Sequence, residues 1–126
     1  MGRFLIVCGA GALGCGTRYL VGLAFGTRSF PYATLLVNLV GSFLIALVFE
    51  LSIRNASLSP NLRLALTTGF MGGLTTYSSF NYEATTMVSN AQNTRAFFAA
   101  GAYVGATVIG CVLAGLLGMW LARRIS

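Results

Sequence analysis

The stretch "GFMGGLTTYSSF", Gly69 to Phe80, decides how this chain is read. It lies inside the third of four apolar runs, where an ordinary span would carry leucine, valine and isoleucine. Gly72 and Gly73 each weaken a helix by roughly 1 kcal/mol relative to alanine. Thr75, Thr76, Ser78 and Ser79 then offer side chains that compete for backbone hydrogen bonds. The expectation is a helix that breaks here. At membrane depth, non-helical backbone is tolerated only where it is buried in protein or lines a cavity. A broken helix also exposes carbonyls that can hold ions; the plainer reading is a kink without a ligand. Beyond the break, Tyr77 and Phe80 are spaced i, i+3 and share a face if the helix resumes. Such pairs usually pack, yet the positive edge of an aromatic ring can also face an anion without adding a full charge.

The rest of the chain agrees with a membrane setting. Of 126 residues, 56% are hydrophobic and only 8% charged, against about a quarter charged in a soluble domain. With roughly 20 apolar residues per span, four spans consume most of the length, at about Phe4 to Phe25, Pro31 to Ile53, Leu62 to Val88 and Ala96 to Ala122. The connections "GTRSFP", "RNASLSPN" and "SNAQNTR" carry the Gly, Pro, Asn and Ser of loops, and Pro60 suits a first helical turn. The reading is an all-α membrane protein, one domain over residues 1–126, with four transmembrane helices and the third broken mid-membrane. Arg3 ahead of an apolar run has the look of a signal peptide, but the run passes 20 residues to Arg28 without a convincing cleavage site, so it is read as a retained span.

The net charge of +6 comes from eight arginines, no lysine, and Glu50 and Glu83. The arginines are scattered between spans, which suits anionic lipid headgroups rather than nucleic acid. Arg3, Arg54, Arg63, Arg123 and Arg124 fall on one side and Arg28 and Arg95 on the other, which favours both termini inside. Arg18, near the far end of span 1, narrows that asymmetry and leaves dual insertion open. Cys8, Cys15 and Cys111 sit in apolar segments as small hydrophobes, with no disulfide or redox role expected. With no histidine and no C-x-x-C, zinc-type chemistry lacks ligands. Two carboxylates without an evident partner, and no G-x-S-x-G or Walker sequence, make the chain read as no enzyme.

In span 2, Thr34, Asn38 and Ser42 repeat every four residues and share a helix face. The Asn38 amide must find protein or water partners, since hydrocarbon offers none; a helix–helix hydrogen bond and a pore role both satisfy that. Arg18 either snorkels to the headgroups or stands at the mouth of an anion path. Span 4 carries a row of small residues, Ala102, Ala106, Gly110, Ala114 and Gly118, beside a second row of Tyr103, Thr107 and Cys111. Gly9, Ala10, Gly11, Gly14 and Gly16 give span 1 another close-packing surface. These small residues serve packing within a subunit or an interface between subunits. Four helices enclose little space, so a permeation path favours more than one copy.

Taken together, Arg18-Tyr19, "TLLVNLVGSF", "GFMGGLTTYSSFNYE" and Tyr103 with Thr107 resemble the Fluc (CrcB) family of small fluoride channels, over the whole chain in span number and length. The resemblance implies an antiparallel homodimer inserted in both orientations in the bacterial inner membrane, with two fluoride pores and a central structural sodium ion. It implies passive fluoride export that lowers cytoplasmic fluoride. Carried over by position, Asn38 is the pore amide donor and Phe80 the second pore phenylalanine. Thr34 lies near the pore, and Tyr103 and Thr107 belong to a polar track. The carbonyls of Gly72 and Thr75 from both subunits bind sodium. Tyr77 stands where the family commonly has Phe, and Cys111 where the track calls for a hydroxyl. Arg18 falls to a vestibule or structural role, and Glu83 is left between pore mouth, salt bridge and interface anchor.

Fluoride is small and strongly hydrated, so a selective path must replace its water with donors while leaving binding weak enough for exit. Asn38, Tyr103 and Thr107 are such donors, and carbonyl oxygens suit a hard cation. The competing reading is a four-span coupled exporter of the small multidrug type, similar in size and in dual insertion. That type relies on a glutamate in its first span, where this chain has none. A packing subunit of a larger complex would account for the small residues but not for the aligned polar tracks.

Overall fold

The computed structural model describes residues 1–54 and 58–126, so part of the "RNASLSPN" connection lies outside the described residues. All regular structure among the described residues is helical. Among the described residues, three helices are long and apolar enough to cross a membrane: α1 (Gly2–Phe25), α2 (Tyr32–Arg54) and α6 (Thr94–Ile125). At 1.5 Å per residue the 24 residues of α1 reach about 36 Å, beyond a hydrocarbon core of about 30 Å.

Between α2 and α6 the chain is segmented. A short α3 (Pro60–Leu64) starts with Pro60 behind Ser59, whose side chain accepts from the Leu62 N–H. A π-helical stretch, Ala65–Met71, follows and leads into one turn, α4 (Gly72–Leu74). Thr75 and Thr76 are extended, and α5 (Tyr77–Ser89) resumes with Thr76 as its N-cap. The π-helical turns have no counterpart in the apolar pattern, which does not distinguish them from α-helix.

The ends agree with the loop signals to within a few residues. Gly26 caps α1 with a positive φ of 62° and donates to the Gly22 and Leu23 carbonyls. Asn93 caps α6 by accepting from the Ala96 N–H. That cap extends α6 two residues before Ala96, and Arg123 and Arg124 continue it beyond Ala122, as suits cations at a helix C-terminus.

Two packing contacts position the site. The most extensive is between α2 and α6, where a Cβ on Gly118 would run into the Phe43 carbonyl. The second sets α1 against the π-helical stretch and α4. A Cβ on Gly73 would meet the Gly11 carbonyl, and one on Gly14 the Phe70 carbonyl. Of the span 1 small residues, Ala10, Gly11 and Gly14 therefore face this contact, while nothing lies within 4 Å of a Cβ placed on Gly9 or Gly16.

The span 4 row divides in the same way. Gly118 is buried against α2, Gly110 meets Leu39, and Ala102 and Ala106 are exposed. A row of period four drifts about 40° per step around a helix of 3.6 residues per turn, so five such residues cannot share one contact.

Candidate functional site

The site is built where α2 meets the extended pair Thr75-Thr76. Asn38 lies two turns into α2 and is 7% exposed. Its Oδ1 accepts from the Thr76 N–H at 2.8 Å, and its Nδ2 donates to the Thr76 carbonyl at 3.1 Å. One amide thus replaces both helical partners that Thr76 gives up. Because Nδ2 carries two hydrogens, one remains for another acceptor. Thr76 Oγ1 then accepts from the Ser79 N–H at 3.2 Å, starting α5. Gly41 makes room: a Cβ there would collide with Thr75 Cγ2.

The helix therefore parts at Thr75-Thr76 rather than at Gly72-Gly73, which remain helical. Gly73 serves close approach to α1, and the Asn38 amide stabilises the parted backbone. Around the break the carbonyls are not equivalent. Met71 O accepts from both the N–H and the hydroxyl of Thr75, at 3.0 and 2.8 Å. Gly73 O accepts from Arg18 Nε at 3.2 Å, and Thr76 O from Asn38. The Gly72 and Thr75 carbonyls, and that of Leu74, accept no hydrogen bond from the described residues.

Below Asn38 a cavity of about 300 Å³ opens between α2, α5 and α6, lined by Asn38, Ser42, Tyr77, Phe80, Thr107 and Cys111 among others. The Tyr77 and Phe80 rings stand 5.8 Å apart and tilted by 57°, and Phe80 lies 5.4 Å from Tyr103. Thr107 donates its hydroxyl to the Tyr103 carbonyl at 2.8 Å, which leaves its oxygen as an acceptor unless the hydroxyl turns. The lining contains no charged side chain.

On the other side of the break, a cavity of about 440 Å³ is lined by Cys15, Arg18, Thr34, Thr76, Ser79 and Glu83 among others. Thr76 lines both cavities. Glu83 is the organising group here: Thr34 Oγ1 donates to its Oε1 at 2.8 Å and Tyr103 OH donates to its Oε2 at 2.6 Å. Both bonds are hydroxyl-to-carboxyl contacts in the part-buried interior. They join α2, α5 and α6 through a single carboxylate.

The family described as CrcB-like protein, Camphor Resistance (CrcB), matches residues 5–119. The chain belongs to the CrcB family. It is 48% identical over 130 residues to a protein of Anaeromyxobacter sp. (strain K), covering 100% of this chain and 99% of the relative. It is 43% identical to one from Geobacter sp. (strain M21), covering 99% and 100%, and 46% identical to one from Sorangium cellulosum over 80% and 76%. All three relatives carry the name fluoride-specific ion channel FluC. With its three long apolar helices, this CrcB chain is an integral, multi-pass membrane protein.

In this CrcB chain, Asn38, Tyr77, Phe80, Thr107 and Cys111 share one cavity, while Thr34, Arg18 and Glu83 line the other. Tyr103 spans the two groups, with its ring on Phe80 and its hydroxyl on Glu83. Arg18, left between snorkelling and the mouth of an anion path, donates its Nε to the Gly73 carbonyl. Sequence reasoning overlooked two contributions. Thr76 and Ser79 line the second cavity, and the capping pattern of a threonine three residues before a serine was the available signal. Glu50 accepts from Arg54 and Arg123 at 2.9 and 2.8 Å, a pairing whose i, i+4 half was legible.

Proposed function

We propose that the chain is a passive fluoride channel of the bacterial inner membrane, exporting fluoride and so lowering its cytoplasmic level. The observation that carries this reading is the uncharged cavity lined by Asn38, with its spare N–H, and by Tyr77, Phe80 and Thr107. Amide and hydroxyl donors exchange for water around a small anion, and aromatic edges add attraction without a trapping charge. Membership of the CrcB family, with relatives named as fluoride-specific channels, supports the same reading. Cys111 would end the track with a weak S–H donor.

The working unit is an antiparallel homodimer with two pores, in which residues 60–89 form the third, interrupted span. In its support, one chain leaves Tyr77 78% exposed although its ring belongs to the cavity wall; a second copy would close that wall. The Gly72 and Thr75 carbonyls, without donors of their own, would hold a structural sodium ion, whose charge balances unwound backbone oxygens. Arg18, tied to the neighbouring Gly73 carbonyl, keeps that strand of backbone in place.

The test is fluoride efflux from liposomes containing the purified protein, with and without a protonophore. Efflux that survives collapse of the proton gradient, and falls in Phe80→Ile, fits a channel. Efflux that requires the gradient identifies a coupled exporter and ends this reading. For the sodium ion, prolonged exchange into sodium-free buffer should weaken dimer retention on size-exclusion chromatography; an unchanged profile removes it from the account.

A further inference from the structure

Five arginines gather at the end of the bundle formed by the α1 N-terminus, the α2 and α6 C-termini and the start of α3. Three are accounted for. Arg54 and Arg123 donate to Glu50, and the Arg124 guanidinium lies 5.4 Å from the centre of the Trp120 ring. The other two, Arg3 and Arg63, make no ion pair and donate no side-chain hydrogen bond among the described residues. Yet both line a single cavity of about 310 Å³, together with Phe49, Pro60, Leu64 and Thr68.

Two like charges on one cavity repel unless an anion sits between them, and no carboxylate lines this one. Thr68 adds a hydroxyl that makes no hydrogen bond among the described residues, whereas the neighbouring Thr67 hydroxyl is already given to the Arg63 carbonyl. The remaining wall is apolar, with Phe49 44% exposed beside Leu64. Arg3 stands in the first turn of α1 and Arg63 in α3, at the start of the third apolar run, and basic residues at the ends of apolar runs suit the headgroup level. We propose that this cavity binds the phosphate of an anionic phospholipid, with Arg3, Arg63 and Thr68 on the phosphate and Phe49 and Leu64 against the glycerol and upper acyl chain. Free inorganic phosphate would satisfy the arginines but would leave the apolar wall in water.

The experiment is native mass spectrometry of the detergent-solubilised protein titrated with phosphatidylglycerol or phosphatidylcholine. Wild type should retain phosphatidylglycerol in preference. The Arg3→Gln/Arg63→Gln variant should bind it roughly thirty-fold more weakly, which is about 1 kcal/mol for each arginine near an anionic headgroup. Arg28→Gln/Arg95→Gln, at the opposite end, should behave as wild type. Thermal melting checks that the variants fold; should the double variant fail, Arg3→Gln alone is expected to lose roughly five-fold. Equal retention of the two lipids, or phosphatidylglycerol binding that survives loss of both arginines, overturns the proposal. So does displacement of the lipid by inorganic phosphate, which would assign the cavity to a free anion.

Discussion

Removing the Asn38 amide exposes how the interrupted backbone is held. In Asn38→Ala, the N–H and carbonyl of Thr76 lose their partners at 2.8 and 3.1 Å while staying buried. Leaving a buried backbone group unsatisfied costs about 1–3 kcal/mol, so the pair amounts to about 2–6 kcal/mol before any relief from entering water. A companion, Asn38→Asp, keeps an acceptor for the N–H but sets a carboxylate oxygen against the Thr76 carbonyl. It should lose stability as well, and it places a negative charge where an anion would pass. One turn along, Ser42 lines the same cavity without a side-chain hydrogen bond among the described residues, and Ser42→Ala should stay within about 0.5 kcal/mol. The assay is heat-induced loss of the folded peak on size-exclusion chromatography in detergent, paired with fluoride efflux from liposomes. Asn38→Ala melting at the wild-type midpoint would refute the idea that this amide holds the break.

Three further outcomes follow from the geometry. Gly73→Ala sets a methyl group against the Gly11 carbonyl and should cost about 1–3 kcal/mol as overpacking, read as a lowered melting midpoint; Gly16→Ala, with open space around it, should leave the midpoint unchanged. Tyr77→Phe keeps the ring edge and removes a hydroxyl that bonds nothing among the described residues, so efflux should persist; complete loss would make the hydroxyl an obligatory donor. Glu83→Gln leaves the Thr34 and Tyr103 hydroxyls sharing a single carbonyl acceptor in place of two carboxylate oxygens, and should lower both stability and efflux, an outcome checked by the same two assays.

How much of this was legible in the sequence depends on the range of the interaction. The ends of α1 and α6 follow from Gly26 and from Asn93, both local capping signals. The interruption was legible from "GGLTTYSS", but its place was not. Gly72 and Gly73 stay helical, with Gly73 packed against α1, and the chain parts at Thr75-Thr76, where Asn38, 38 residues away, supplies the replacement bonds. The faces of single helices, Asn38 with Ser42, Tyr77 with Phe80 and Tyr103 with Thr107, were readable from spacing, whereas bringing Asn38, Phe80 and Thr107 together rested on the family resemblance alone. The role of Glu83 was not readable, since its two partners lie 49 and 20 residues away on other helices. Arg18 was left between the headgroups and the mouth of an anion path for a similar reason: the Gly73 carbonyl that it meets belongs to a distant segment.

The central claim, that the uncharged cavity beside Asn38 conducts fluoride selectively, is tested most directly by anion efflux from liposomes loaded with fluoride or with chloride and followed by ion-selective electrodes. Rapid fluoride efflux with chloride retained, and loss of the fluoride signal in Phe80→Ile at unchanged protein recovery, is the result expected. Equal efflux of the two halides, or no fluoride movement from a folded protein, would contradict it.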